Sequence, residues 1–365
     1  MSEEREKKRP LLERFMRFLN VLAILVLLGA YAGGSISPER FWPLAFVAMA
    51  YPIIMATFLL FTLYWIFKRK WFAFLNIALL LIRSDLVFGT IGLSSANSDS
   101  SGIKVMTYNV RLFDKFNWNS DSNSKDRIIS FLMKEETDIL CIQEYYDVDE
   151  KVRIELSENG NQNIHLRNYF AQRENKNDFG IATISRFPMV QKGAIVLENS
   201  RSALAIFTDL KIGEDTVRVY NFHLQSIHLG NDGYEILDGL IETQHVGEVS
   251  DSKLIGGRLK GGFKKRAIQA EEIAEHIATC TYPIIVCGDF NDVPSSYTYQ
   301  TIADGLNDSF SKSGKGFGFT YVRVPFFRID NILYSDDFSS SNHKTFDEST
   351  DSDHFAVSTN LNLKD

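Results

Sequence analysis

The chain has 365 residues, 45% of them hydrophobic, with 39 basic and 46 acidic side chains for a net charge of −7. The charge is unevenly spread: the first 94 residues hold 11 basic and 6 acidic side chains, and the remaining 271 hold 28 and 40. So acidic a C-terminal part argues against general polyanion binding unless metal ions or a local basic patch intervene.

Residues 1–17 are polar and basic, with Arg5, Lys7, Lys8, Arg9, Arg14 and Arg17 against four glutamates. From Phe18 to Ile36 no residue is charged, and about 20 apolar residues suffice to cross a bilayer as a helix. No small-residue cleavage site leads from this run into polar sequence, so an anchor is expected rather than a cleaved signal peptide. A second uncharged run covers Phe41–Phe67 and ends at Lys68-Arg69-Lys70. A third, Trp71–Leu93, contains Arg83 and Asp85, which are costly in lipid unless paired or near an interface. The expectation is three transmembrane helices, at about 18–36, 41–67 and 71–93. Basic residues stay on the cytoplasmic side, so the tail and Lys68–Lys70 would be inside and everything after Leu93 outside. The expected setting is a bacterial inner membrane with the remaining domain extracytoplasmic.

Ser94–Gly102, SSANSDSSG, reads as a small, polar linker. Beyond it, from 103 to 365, short apolar strands alternate with helical stretches. Strands are expected at Ile103–Val110, Asp138–Gln143, Phe179–Ser185, Ala194–Leu197, Ala203–Leu210, Thr216–His223, Ile284–Cys287, Arg328–Tyr334 and Phe355–Asn360. Helices are expected at Lys125–Lys134 and Phe263–Ala278, with Ser226–Gly262 as a long polar excursion. Cys141, Cys280 and Cys287 lack metal-ligand spacing. Cys141 and Cys287 sit in apolar runs, as buried thiols do.

The chemistry gathers where these strands end. Asn109 closes KVMTYN, Glu144 follows DILCIQ, and Asn221 and His223 close VRVYNFH. Asp289 and Asn291 follow IIVCG, Asp330 precedes NILY, and Asp353-His354 precede FAV. One polar strand end is an ordinary solvated cap; six, drawn only from carboxylates, carboxamides and imidazoles, point to a common cleft.

The ordered set TYN, QE, N-x-H, GDFN, RID and SDH resembles the endonuclease/exonuclease/phosphatase superfamily over residues 103–361. That resemblance implies a four-layer α/β sandwich, two packed and mostly antiparallel β-sheets flanked by helices. It also implies metal-assisted hydrolysis of a phosphoester, with Mg²⁺ or Mn²⁺ as cofactor, since both favour oxygen ligands. Carried over residue by residue, Glu144, Asn109 and Asp353 would hold the metal. Asp289 would orient or deprotonate the attacking water, and Asn291 would donate to the transition state. His354 would meet the phosphate, oriented by Asp330, and His223, beside Asn221, would act as acid or phosphate contact.

Arg111 stands where some family nucleases carry an acidic residue, and reads as a phosphate contact or a surface ion pair. Arg186, in SRFP, either borders the site or stabilises a turn. Lys264 and Lys265 lie in GGRLKGGFKKR, at the expected start of a helix, where cations are unfavourable unless an anion is bound. They read as phosphate contacts, or as a solvated helix start. The substrate expected is a lipid or envelope phosphoester, because a membrane tether concentrates an enzyme at head groups. The alternatives are an extracytoplasmic nuclease and an inactive scaffold that kept the fold.

Overall fold

The computed structural model describes residues 11–94, 101–116, 118, 123–146, 163–168, 179–197, 203–226, 249–324, 326–348 and 351–364. Most of the basic tail and of the linker, and residues 227–248 of the long polar segment, lie outside these.

The apolar N-terminal part folds as α1 (Leu11–Gly33), α2 (Pro38–Phe41), α3 (Pro43–Met49), α4 (Tyr51–Phe67), α5 (Phe72–Ile82) and α6 (Ser84–Thr90). Among the described residues only α1 is by itself long and apolar enough to cross a membrane. The other two expected spans are broken. The second bends by 63° between α3 and α4, and the third by 80° between α5 and α6. Pro52 accounts for the first break, because proline lacks the N–H that would continue the preceding helix. The second falls at Arg83, whose guanidinium pairs with Asp85 at 2.7 Å and donates to Gln300 Oε1 at 2.7 Å. Its side chain therefore leaves the bundle for the following domain.

Three helices meet on a polar cluster inside the bundle. Asn20 Oδ1 accepts from Asn76 Nδ2 at 2.9 Å and from Trp65 Nε1 at 3.0 Å. At one end Glu13 pairs with Arg17 and lies 3.6 Å from Lys70, joining the start of α1 to the turn between α4 and α5. At the other end Gly33 lets α1 approach α3, where a Cβ would meet the Leu44 carbonyl oxygen at 2.4 Å.

The second part is built on two six-stranded sheets. One has the order β13 (Phe338–Thr345), β14 (Val357–Leu363), β2 (Ile103–Asn109), β3 (Ile139–Tyr146), β5 (Phe179–Ser185), β4 (Asn163–Asn168). The other runs β10 (Asn307–Asp308), β12 (Asp330–Tyr334), β9 (Ile284–Asp289), β8 (Asp215–His223), β7 (Leu204–Ile212), β6 (Met189–Ile195). Each sheet holds one parallel pair near its centre, β2 with β3 and β8 with β9; the other pairs are antiparallel. The short β1 (Gly92–Leu93) pairs with β11 (Lys315–Gly316) apart from both.

Alternation along the strands builds the layers. Val105, Ile139 and Cys141 of one sheet pack between the sheets on Val219, Ile285, Cys287 and Ile332 of the other. Outside the first sheet, Ile128, Ile129 and Leu132 of α7 (Ser124–Lys134) cover Met106, Tyr108, Leu140 and Ile142. Outside the second, α8 (Val249–Ala278) and α9 (Tyr297–Ile302) place Ala270, Ile273, Tyr299 and Ile302 on Tyr220, Phe222, Ile284 and Val286. β9 is thus buried on both faces, which is why Ile284–Cys287 is uniformly apolar.

α8 corrects an expectation. It starts at Val249, 14 residues before Phe263, so GGRLKGGFKKR lies inside a helix and not at its start. The two parts of the chain are also joined. Phe263 stacks edge-on to Phe46 at 5.1 Å, and Ser295 Oγ donates to the Ala48 carbonyl at 2.7 Å. Arg328 donates from Nε and Nη2 to the Gly89 carbonyl at 3.2 and 3.0 Å.

Candidate functional site

Strand order decides what meets. β8, β9 and β12 are neighbours, and their register places His223 beside Asp289 and Asp289 beside Asp330. In the facing sheet β2 ends at Asn109, opposite Gln143 of β3. Glu144 follows at a bulge where the pairing of β3 with β5 shifts between Ile142 and Tyr145, and its φ of +50° turns the side chain out of the ladder. His354 sits just before β14, held by a bridge to Tyr321. Stacking the sheets closes these ends on one another.

The contacts centre on Asp289. Its Oδ2 accepts from Asn109 Nδ2 at 3.0 Å and Asn291 Nδ2 at 3.1 Å, and its Oδ1 accepts from the Asn291 backbone N–H at 2.8 Å. His223 Nε2 lies 3.5 Å from the same Oδ2 and 3.8 Å from Glu144 Oε1; His354 Nε2 lies 3.9 Å from it. His354 Nδ1 meets Asp330 Oδ2 at 2.9 Å, a carboxylate–imidazole pair that fixes the ring. Asn109 Nδ2 also reaches Glu144 Oε1 at 3.4 Å, so one carboxamide spans both acids.

The electrostatics follow from burial and crowding. Burial pushes the Asp289 carboxyl up; Asp330 adds to this, while His354 and His223 oppose it. Burial likewise raises Glu144, where Asp353 and Asp289 add to it against the two histidines. Burial disfavours a charged His354, but Asp330 and Asp289 outweigh it and hold the imidazolium well above the usual histidine range. Glu144, Asp289 and Asp353 thus crowd three hard oxygen donors together, an arrangement a divalent cation relieves. Ligand atoms of Asp289, Asp330 and His354 also lie within 4.8 Å of one another. In that trio, however, Asp330 and Asp289 hold His354 as an imidazolium, which cannot ligate a cation, so the Glu144 side suits a metal better.

Of the residues expected from the sequence, Asn109, Glu144, His223, Asp289, Asn291, Asp330, Asp353 and His354 come together. Arg111 joins them: its Nε lies 3.5 Å from Asp353 Oδ2, and its guanidinium stacks under Trp118 at 4.6 Å. Asn291 does not present its amide to the cleft. Both Nδ2 hydrogens are engaged, one by Asp289 and one by the Leu224 carbonyl at 3.1 Å, so its expected donor role is corrected to fixing Asp289.

Asn221 is also corrected. Fully buried between the sheets, it donates to the Ala182 carbonyl at 2.8 Å and accepts from Gln143 Nε2 at 2.7 Å, one layer beneath His223. Arg186 follows β5, which runs antiparallel to β3 with Ser185 beside Ile139, so it lies at the opposite end of the sheet from Glu144. There it pairs with Asp138 at 2.7 Å. Lys264 and Lys265 lie within α8 and make no hydrogen bond or ion pair with the cluster among the described residues. The basic residue of that stretch that matters is Arg266. It is buried and bonds Asp292 at 3.1 Å and the Gln225 carbonyl at 3.0 Å, bracing the chain just past Asn291.

Sequence reasoning missed Ser352 and Thr320. Ser352 Oγ donates to the Asn109 carbonyl at 2.8 Å and accepts from the His354 N–H at 3.2 Å. Thr320 Oγ1 accepts from the N–H groups of Ile329 and Asp330. The position of Ser352 inside SDH was its signal; Thr320 had none.

Residues 106–354 match the model of the Endonuclease/Exonuclease/phosphatase family, and residues 13–87 match that of a domain of unknown function. A search of curated proteins returns no match. Among solved structures, the fold is similar to the human Nocturnin catalytic domain with bound sulfate anion, at 19% identity, TM-score 0.52, covering 75% of this chain and 96% of that one. It is also similar to humanized D. rerio TDP2 (14% identity, TM-score 0.51, 72% and 100% covered). A third is an endonuclease/exonuclease/phosphatase from Beutenbergia cavernae (16%, 0.50, 72% and 71%).

Proposed function

The chain belongs to the endonuclease/exonuclease/phosphatase family, whose members hydrolyse phosphoesters, and from that premise we propose a membrane-anchored, divalent-metal-dependent phosphoesterase. The observation that carries this is the convergence of Glu144, Asp289, His223 and an Asp330-held His354 on one strand-end cleft.

Glu144, with Asp353 beside it, would hold Mg²⁺ or Mn²⁺, which supplies charge neutralisation of the non-bridging phosphate oxygens. Asn109, expected as a further ligand, is corrected to a positioning residue: its Nδ2 faces Glu144 and Asp289 and its Oδ1 accepts from the Arg111 N–H at 3.0 Å. Asp289 orients the attacking water and takes its proton; burial raises this carboxylate's basicity toward the working pH. Asn109 and Asn291 hold it in position throughout. His354, kept cationic by Asp330, binds the phosphoryl oxygens, and His223 lies where it can protonate the leaving oxygen.

In this reading the domain from 103 onward is catalytic and the region 18–93 crosses a cell membrane three times, the proposed setting being a bacterial inner membrane. Supporting this, Lys68, Arg69 and Lys70 lie at the end of the bundle near Glu13 and Arg17, away from the second part. The catalytic domain then faces outward. Leu25, Ile53, Leu60, Phe74 and Leu81 stay exposed around the bundle, as lipid-facing residues do.

The test uses the detergent-solubilised full chain and bis-p-nitrophenyl phosphate. Turnover is expected with Mg²⁺ or Mn²⁺, lost in EDTA, and reduced by roughly 10²–10⁴ in Asp289→Asn. Undiminished turnover in that variant would sink the assignment. Nicking of supercoiled plasmid with no action on lipid phosphoesters would make the enzyme a nuclease.

A further inference from the structure

Between the membrane bundle and the cleft lies a stretch that the catalytic roles do not use. Residues 315–324 begin as β11, paired to Gly92 and Leu93 one residue beyond Ile91 at the end of α6. Seven residues after Lys315, at Val322, the segment is tied to the active site. Val322 N–H donates to the Asp353 carbonyl at 2.9 Å, Tyr321 bridges His354 with ring centroids 5.2 Å apart, and Thr320 accepts from Phe355 N–H at 2.7 Å.

Between those anchors Phe317 and Phe326 stand 51% and 46% exposed and pack on each other at 5.5 Å. Leu93 beside β11 and Val322 beside Asp353 are exposed as well. Across Asp353 the lip continues. Arg111, paired to Asp353, lies under exposed Trp118, which packs on exposed Phe116 at 5.1 Å.

Single exposed apolar residues need no explanation, but a continuous series that begins at the bilayer-facing bundle and ends at the cleft does. Lys315 and Arg323 are interleaved with these aromatics, although residues 103–365 carry a net charge of −11 (28 basic, 39 acidic). Aromatic and basic residues together suit the head-group boundary of an anionic bilayer.

Resting on the phosphoesterase reading, we propose that the lip formed by Phe317, Val322 and Phe326 lies in the bilayer interface and that the substrate is an amphiphilic phosphodiester, a lipid whose apolar chains run along this lip while its phosphate reaches His354. The occupant is the bilayer itself. A soluble sugar phosphate would leave these side chains facing water.

Two measurements on the full chain in vesicles of phosphatidylethanolamine and phosphatidylglycerol decide it. The first places a bimane label at Phe317→Cys in a Cys280→Ser background, the other two cysteines being buried. Lipids brominated on their acyl chains should quench it, and should not quench the same label at Val190→Cys, exposed on β6. Equal quenching at the two positions overturns the placement.

The second compares bis-p-nitrophenyl phosphate with hexadecyl p-nitrophenyl phosphate carried in the vesicles. The exposed pair Phe317→Ser/Phe326→Ser should leave the first turnover unchanged and lower the second about tenfold. Equal effects on both, or no preference of the wild type for the long-chain ester, overturn the substrate assignment while leaving the phosphoesterase intact. Failure to turn over either ester overturns the catalytic reading and the substrate assignment with it, and the quenching result still decides the lip.

Discussion

Arg328 links the two parts of this chain, and its removal has a calculable cost. The side chain is 3% exposed; Nη2 lies 2.6 Å from Asp308 Oδ2, and Nη1 donates to Asn331 Oδ1 at 2.5 Å. Two further N–H groups serve the Gly89 carbonyl, and the guanidinium lies over Phe310 at 4.7 Å. Burial alone would raise the Asp308 carboxyl; Arg328 reverses this and holds it below the usual range. Arg328→Met strands that carboxylate in a buried site, at a cost of roughly 3–5 kcal/mol. Asp308→Asn leaves the guanidinium uncompensated at a similar cost. The double variant removes both charges together, and its loss should be far smaller than the sum, leaving a coupling of about 2–4 kcal/mol. Urea unfolding of the detergent-solubilised chain measures the cycle, provided the denaturant slope is unchanged across the four proteins. Additivity within about 0.5 kcal/mol would show that the pair is solvated, and would refute the argument that α6 and the catalytic domain share a dry interface.

Two further outcomes are expected. Asp330→Asn removes the carboxylate that holds His354, so kcat for bis-p-nitrophenyl phosphate should fall by roughly 10²-fold or more; an unaltered kcat would remove Asp330 from the positioning scheme. His343 meets Ser309 Oγ at 2.9 Å and buries Nε2 with no hydrogen bond among the described residues, and burial pushes its pKa down to about 3. The unfolded chain takes up this proton near pH 6.5 and the folded one does not, so stability is full above that pH and lost on falling toward about 3. The loss is about 2 kcal/mol by about pH 5, and urea midpoints for His343→Gln should lack it.

The chemistry was legible because it stands at strand ends, where a polar residue closing an apolar run is visible without knowing the fold. Depth was not legible. Asn221 and His223 share a strand face, but Asn221 lies a layer lower, and only the stacking of β8 against β3 and β5 turns it into a link between sheets. Strand direction was equally hidden: Arg186 follows an apolar strand as Glu144 does, yet β5 runs the other way. Glycines misplaced the start of α8, since four within GGRLKGG suggest a loop; Gly256, Gly257 and Gly261 face open space, so packing elsewhere on the helix sets its extent. β13, FSSSNHKT, carries too few apolar residues to read as a strand, being an edge whose inward side is short.

Whether the N-terminal helices only tether the domain or complete it can be decided by removing them. Every strand of both sheets, and α7, α8 and α9, lies within residues 101–364, so the fragment keeps its core and all of the cleft. What it loses is cover. Phe263, 1% exposed in the full chain, loses Phe46, and Ser295 loses the Ala48 carbonyl. Arg328 loses the Gly89 carbonyl, and β11 loses its partner strand. Baring Phe263 alone costs about 1.5–3 kcal/mol, and each kcal/mol lowers Tm by roughly 2–4 °C in a domain of this size. The fragment should therefore hydrolyse bis-p-nitrophenyl phosphate yet melt several degrees below the full chain in the same detergent. Pro294 and Ser295 lie just past Asn291, Pro294 beside Gly89 of α6 and Ser295 bonded to Ala48 of α3, so disorder should begin in that loop. Amide exchange at Val293–Ser296 should then rise in the fragment while exchange in β9 stays slow. An unchanged Tm together with unchanged exchange would reduce the helices to a tether, and the interface would carry no stability.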